Sequence, residues 1–236
     1  MNDSANQLLV NLNALVAGLF LLTGFGIVAM RQARGVLHLF IVQSLLLAAS
    51  AVLLGLRYAS DHLYGVALVN VFSKAIIVPW LLRKTTPSEI YTRREVNQVL
   101  NIPTASLIAL ALVILAYFSG RSLSKALPPE FYSINVPIGI AGLLLGAFAL
   151  TVRREALPLL IGLLAMENGA FLCGIAIARN LPLLVELAIA TDGLIIVFIM
   201  GVLTRAVQRQ VGTTAVGELA SLKEATVEPM EKEVAK

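Results

Sequence analysis

Long apolar stretches separated by short polar segments make up most of the chain. Seven such runs occupy about 7–30, 36–57, 63–83, 101–119, 134–152, 156–178 and 181–206. Each is about 20 residues long, the length that a helix needs to cross a hydrocarbon layer of about 30 Å. The pattern predicts an all-α, polytopic membrane bundle with about seven transmembrane helices.

Composition and chemistry narrow the class of protein further. The 236 residues are 58% hydrophobic and only 14% charged, against about 25% charged in soluble domains. A soluble globular protein and a disordered one are therefore excluded. One cysteine, Cys173, and two histidines at opposite ends of the second run, His38 and His62, argue against a disulfide framework, a Cys-ligated metal site or a bis-histidine haem. No catalytic motif is present, so we expect no catalytic site, metal or cofactor in this chain.

Basic residues predict the orientation in the membrane. Thirteen of the 18 Lys and Arg residues fall in one set of loops and the C-terminal tail, and four fall on the opposite side. The positive-inside rule then places the N-terminus outside and the C-terminus in the cytoplasm. The first run follows Asp3 and no basic residue, so we expect it to remain as a membrane helix rather than to be cleaved. Pro79 lies inside the third run, which we expect to bend there.

Four ionisable residues lie within the apolar runs. Lys74 is in the third run, Glu167 in the sixth, and Glu186 and Asp192 in the seventh. At 1.5 Å per residue, Lys74, Glu167 and Asp192 all lie about 16–17 Å from the face where their helix enters, near mid-membrane. Glu186 is shallower, at about 7–8 Å. Each charge costs roughly 2.5–3.5 kcal/mol at the bilayer centre, so these groups must face the protein interior, water or one another.

Two functions of this charge network remain open. The residues can form a proton relay, with Asn70, Ser73 and Asn168 as supporting polar groups, since Asn70 shares a helix face with Lys74 and Ser73 borders it. A static pair of Lys74 with a carboxylate that holds helices together is the alternative.

Other polar residues and small residues within the runs predict helix packing. We expect interhelical hydrogen-bond donors at Asn11, Asn13, Gln43 and Ser44. Close helix approach is expected at glycines of the first, fifth and sixth runs, namely Gly24, Gly26, Gly142, Gly146, Gly162 and Gly169.

Three segments resemble a known family. RREALPLLIGLLAMENGAFL, which contains Glu167, resembles the second helix of the K-type subunit of respiratory complex I, and AIATDGLIIVFIMGVL, with Asp192, resembles that subunit's third helix. NVFSKAIIVPWLLRK, with Lys74 and Pro79, looks like the third helix of the hydrogenase-4 component E family. The whole chain is similar to that component of hydrogenase-4 and formate hydrogenlyase-like complexes.

The resemblance implies a subunit of a bacterial inner-membrane complex. In such a complex a soluble arm carries out the oxidoreduction, and a membrane arm with antiporter-like subunits moves protons or sodium. It implies a four-helix region at 1–133, a three-helix K-like region at 134–206 and a cytoplasmic polar tail at 207–236. When the Leu-Ile-Gly-Leu stretches are superposed, the K-type glutamate falls at Leu164, one turn before Glu167, and Asp192 corresponds approximately to the third-helix acid. A self-contained ion transporter and a purely structural scaffold remain as alternatives.

Overall fold

The described part of the chain is a bundle of long helices. The computed structural model describes residues 3–85, 100–126, 134–177, 194–199 and 201–202. Its helices are α1 (Asp3–Ala29), α2 (Ala33–Tyr58), α3 (Asp61–Asn70), α4 (Val78–Thr85), α5 (Ile102–Ala126), α6 (Asn135–Val152) and α7 (Ala156–Ile177), with a π-helix over Val71–Ile77 between α3 and α4. The predicted all-α fold is thereby confirmed.

Six helical segments in these ranges are long and apolar enough to cross a membrane. They coincide with the first six predicted runs, and α3, the π-helix and α4 together form the third, Asp61–Lys84. The protein is therefore a multi-pass membrane protein. The largest difference is α5, which continues to Ala126 rather than ending near 119. The added residues include Arg121 and Lys125, and both are good helix formers that extend a helix beyond its apolar part.

The seventh predicted run, 181–206, lies largely outside the described residues, and so do Glu186 and Asp192. Its described pieces, 194–199 and 201–202, are helical. The tail from 207 onwards also lies outside the described residues. The orientation of the termini and the division at 133/134 stay predictions.

The third span changes its helical geometry around Lys74. Val71–Ile77 form a π-helix, which ends where the Val78 N–H donates to the carbonyl oxygen of Ser73, five residues earlier. Pro79 follows directly. In an α-helix its ring would clash with the carbonyl of Ala75, and a wider turn before the proline is one way to avoid that clash. The bend that the sequence predicts at Pro79 stays a prediction; the change of helical geometry lies one turn earlier, around Lys74.

Glycines bring α6 and α7 into close contact. A Cβ added at Gly146 would overlap the backbone of Met166, and one added at Gly169 would overlap the backbone of Leu143. Gly139 meets Cys173 in the same way. The predicted role of Gly146 and Gly169 in close helix approach is confirmed, with both glycines facing a helix of the same chain. This tight pair fixes the position of the helix that carries Glu167.

Candidate functional site

Three spans converge on a polar site in the middle of the bundle. The third span contributes Asn70 and Lys74, α7 contributes Glu167 and Asn168, and α2 lies against both of them. Lys74 and Glu167 each lie within two residues of the midpoint of their span. Both side chains therefore sit at about the same depth, as the sequence predicted.

An ion pair forms the centre of this site. Lys74 Nζ lies 2.8 Å from Glu167 Oε1. The Lys74 side chain is 5% exposed, whereas the Glu167 side chain is 24% exposed. Lys74 is thus enclosed on all sides, and the carboxyl group forms the more open edge of the pair.

Two further groups of α7 complete the surroundings of the ammonium. Lys74 Nζ donates a hydrogen bond of 3.0 Å to Asn168 Oδ1, and it lies 5.7 Å from the centre of the Phe171 ring. Glu167, Asn168 and Phe171 occupy adjacent positions or one turn of the same helix, so a single helical face supplies all three contacts. A carboxylate, an amide oxygen and an aromatic face all favour the positively charged form of the amine.

Asn168 connects the ion pair to α2. Its Nδ2 donates to Ser44 Oγ at 3.0 Å and to Gln43 Oε1 at 3.5 Å. Asn70 Nδ2 donates to the backbone oxygen of Ser44 at 2.7 Å. The prediction that Gln43 and Ser44 make interhelical hydrogen bonds is confirmed, but both act here as acceptors rather than donors. Asn168 therefore accepts a hydrogen bond from Lys74 of the third span and donates to α2, so that its amide links these two spans beside the ion pair.

Part of this polar network retains hydrogen-bonding capacity. Within the described ranges, Gln43 Nε2 and Asn70 Oδ1 are buried and have no hydrogen-bond partner. One is a donor and the other an acceptor. Buried amide groups of this kind are commonly satisfied by a water molecule.

The structure brings together only part of the predicted set. Lys74, Glu167, Asn168 and Asn70 share one site, whereas Ser73 Oγ donates to the carbonyl oxygen of Val69 in its own helix. Phe171 was missed because an aromatic residue in an apolar run gives no sign of the ammonium that it contacts. No cluster of three or more His, Cys, Asp or Glu side chains occurs in the part of the chain that the structure describes.

A second polar cluster contains Asn13, which lies in the N-terminal half of α1. Asn13 Nδ2 donates to Asn135 Oδ1 at 2.8 Å, Ser50 Oγ donates to Asn13 Oδ1 at 2.7 Å, and Asn135 Nδ2 donates to Ser50 Oγ at 2.8 Å. The ring ties α1, α2 and α6 together. It confirms the interhelical hydrogen bond predicted for Asn13. The same expectation for Asn11, which lies on the exposed face of α1, stays a prediction.

Arg153 is the polar residue whose role the sequence did not predict. Counted there only as a loop charge, it is 4% exposed and its Nη2 donates to the carbonyl oxygens of Ile27, Val28 and Met30 at the end of α1. Burial lowers the pKa of Arg153 to about 10, and the nearby Glu155 carboxylate opposes this shift. The last turn of α1 contains no basic residue of its own. Because a cation is favourable at the C-terminal end of a helix, this absence is the one sequence signal that a basic residue from elsewhere in the chain binds there.

The fold and the site define an all-helical, multi-pass membrane protein with a lysine–glutamate pair at mid-span. Along 88% of its length the chain is 29% identical to the uncharacterized protein Rv0085 of Mycobacterium tuberculosis, covering 94% of that protein. It is 26% identical over 88% of its length to hydrogenase-4 component E of Escherichia coli K12 and of Shigella flexneri, covering 95% of each. No family model and no solved structure matches. The chain is thus similar over most of its length to hydrogenase-4 component E.

Proposed function

We propose that this protein is a membrane-arm subunit of a hydrogenase-4 or formate hydrogenlyase-like, complex I-related oxidoreductase in the bacterial inner membrane. Its neighbours would be antiporter-like and other membrane subunits. Its own contribution would be the Lys74–Glu167 pair as part of a pathway for proton (or sodium) translocation. The observation that carries the proposal is the 2.8 Å ion pair at mid-span, in a chain with 26% identity to hydrogenase-4 component E.

The pair has the chemistry that a charge relay needs. At 2.8 Å a proton can pass from the Lys74 ammonium to the Glu167 carboxylate, which turns an ionic pair into a neutral amine and carboxylic acid. No net charge moves into or out of the site in that step. In a medium of low dielectric constant, small changes in neighbouring charge decide which of the two forms is favoured.

The unequal exposure of the two partners supports a direction for this exchange. Glu167, at 24% exposed, is the group that a proton from outside this chain would reach first. Lys74, at 5% exposed, is already protonated in the ion pair, so it can take up that proton only after its own proton has left. Beyond Lys74, Asn168 leads to Gln43 and Ser44. Asp192 and Glu186 of the seventh run remain proposed members of the same pathway on the evidence of the sequence.

A charge-neutralising variant tests the proposal in the assembled complex. In inverted membrane vesicles, Glu167→Gln should abolish proton uptake coupled to oxidoreduction, while the complex remains assembled. Glu167→Asp, which keeps the carboxyl group, should retain part of the uptake. We expect the same separation of coupling from assembly for Asp192→Asn.

The double variant Lys74→Met with Glu167→Leu distinguishes relay from static packing. It removes both charges while keeping two side chains of similar volume, so a pair that only holds helices together would be replaced without loss of coupling. Normal proton uptake in this variant would overturn the relay and leave a structural pair. A lone purified chain that moves ions in liposomes would instead favour a self-contained transporter.

A further inference from the structure

Two buried polar atoms near the ion pair lack a partner. Gln43 is 0% exposed and Asn70 is 4% exposed, and within the described ranges neither Gln43 Nε2 nor Asn70 Oδ1 makes a hydrogen bond. A buried polar atom without a partner is costly, and most such atoms in proteins bind another group or an ordered water molecule. One of these two atoms is a donor and the other an acceptor, so a molecule that both accepts and donates would satisfy either of them.

Neighbouring groups fix the orientation of both amides, so exchanging their nitrogen and oxygen atoms would not supply the missing partners. The Lys74 ammonium has only donors, so the Asn168 oxygen must face it and the Asn168 nitrogen faces α2. That nitrogen donates to Gln43 Oε1, which turns Gln43 Nε2 away from Asn168. Asn70 donates to the backbone oxygen of Ser44 at 2.7 Å, and an Asn70 oxygen in the place of that nitrogen would meet another oxygen.

Gly24 of α1 borders the free donor of Gln43. A Cβ added at Gly24 would lie 3.9 Å from Gln43 Nε2 and 3.0 Å from Leu145 Cδ1. Because glycine has no side chain, the nitrogen of Gln43 has no side chain of residue 24 against it. Gln43 is fully buried between α1 and α7, so neither lipid nor another subunit reaches this donor from outside.

We propose that Gln43 Nε2 and Asn70 Oδ1 each bind an internal water molecule, and that these waters carry protons onward from the Lys74–Glu167 pair. Water fits both atoms, since its oxygen accepts from the amide nitrogen and its O–H donates to the amide oxygen. A metal cation does not fit, because it would face the N–H of Gln43 and be repelled by the Lys74 ammonium.

The second part of this proposal rests on the proposed function of the pair as a proton relay. The side chains of Asn168, Gln43 and Asn70 donate and accept hydrogen bonds, but an amide does not change its charge at physiological pH. A water molecule takes up a proton at its oxygen and releases another to the next acceptor, so charge balances at each step. Waters at these two positions therefore supply an exit from the pair that the amides alone lack.

Solid-state NMR of the full chain in lipid bilayers tests the water sites. Magnetisation transfer from water is measured for the side-chain amides of Gln43, Asn70 and Asn13, and substitution of each residue assigns its signal. Asn13 is the dry control, because it is also buried but both atoms of its amide are bonded within the ring with Ser50 and Asn135. We expect transfer to Gln43 and Asn70 to be roughly three-fold faster than to Asn13, or more.

A methyl group at position 24 should displace the water from Gln43. Gly24→Ala should therefore reduce the transfer to Gln43 to background and leave that to Asn70 unchanged. Leu145 Cδ1, the atom that the new Cβ would crowd, is the end of a flexible side chain and can move aside. Gly174→Ala is the matched control, because its Cβ would meet nothing within 4 Å, and it should change neither signal.

Two NMR results would overturn the water sites. One is transfer to Gln43 and Asn70 that is as slow as transfer to Asn13. The other is a contact from either amide to a side chain of the 181–206 run in place of water, which would make that side chain the missing partner.

Proton uptake by the assembled complex in inverted vesicles tests the role of the waters in transfer. We expect Gly24→Ala to lower coupled uptake about two-fold or more, while Gly174→Ala leaves it unchanged. Normal uptake after the water has been displaced overturns this role. The proposed function of the pair is contradicted by a different result, namely normal uptake in Glu167→Gln, so the two failures are distinguishable.

Discussion

Removing one partner of the Lys74–Glu167 pair should be more harmful when the glutamate is removed. Glu167→Gln leaves an ammonium whose side chain is 5% exposed, whereas Lys74→Met leaves a carboxyl group that is 24% exposed. Breaking a buried ion pair by removing one partner costs about 3–5 kcal/mol. We place Glu167→Gln near the upper end of this range. Lys74→Met belongs near the lower end, because the more open carboxyl group can take up a proton and become neutral.

The double variant shows how much of each single variant's loss in unfolding free energy comes from breaking the pair. Lys74→Met with Glu167→Leu removes both charges together, and such replacements of buried pairs are typically neutral or stabilising by about 1–4 kcal/mol. The two single losses should therefore exceed the change in the double variant by several kcal/mol. In the double variant Asn168 Nδ2 keeps its hydrogen bond to Ser44, but the buried Asn168 Oδ1 loses its donor. An unsatisfied buried acceptor costs about 1–3 kcal/mol, which offsets part of the gain from removing both charges.

The free energy of unfolding can be measured for the full chain in mixed micelles. Titration with sodium dodecyl sulfate, followed by circular dichroism, gives the four values of a double-mutant cycle. Single variants that each change the unfolding free energy by less than about 1 kcal/mol would refute the burial on which this reasoning depends. A double variant as unstable as the sum of its singles would refute the coupling.

Three further predictions concern the packing around the site. Gly169→Ala should destabilise the chain by about 1–3 kcal/mol, because its Cβ would overlap the α6 backbone, while Gly174→Ala, which meets nothing within 4 Å, should leave the unfolding midpoint unchanged. Asn13→Leu should cost about 2 kcal/mol in the same titration, since it breaks a closed hydrogen-bond ring. Arg153→Met should lower thermal stability by a constant amount from about pH 6 to about pH 9, because a pKa of about 10 keeps the native guanidinium charged there. Above about pH 10 only the folded form loses its proton, so the wild type should gain stability relative to the variant.

The sequence predicted the spans and the depth of the charged residues because both depend only on counting residues along the chain. Apolar runs of about 20 residues specify six observed helical segments, and counting residues from each helix end places Lys74 and Glu167 at one level. Contact between them needs a second fact, namely that the third span and α7 are neighbours. A single sequence does not contain that fact, and the contact was therefore only one of several possible pairings.

Residues whose partners lie in another helix were the hardest to interpret. Arg153 looked like a solvated loop charge, since the positive-inside rule explains any arginine between two spans. Its burial depends on the exposed carbonyl groups at the end of α1, more than 120 positions earlier in the chain. In the same way, Asn11 and Asn13 look alike in sequence. Asn13 joins the hydrogen-bonded ring with Ser50 and Asn135, whereas Asn11 faces outward.

The three polar centres differ in what a change of protonation could do to them. The ring of Asn13, Ser50 and Asn135 is neutral and its hydrogen bonds are mutually satisfied, so it has no charge to exchange. Arg153 is bound by backbone carbonyl groups, which do not accept its proton at any physiological pH. The Lys74–Glu167 pair combines, at 2.8 Å, a donor with an acceptor that can both change charge. The first two centres hold α1 against its neighbours on either side of that depth, which leaves the pair free to change its charge state without loosening the bundle.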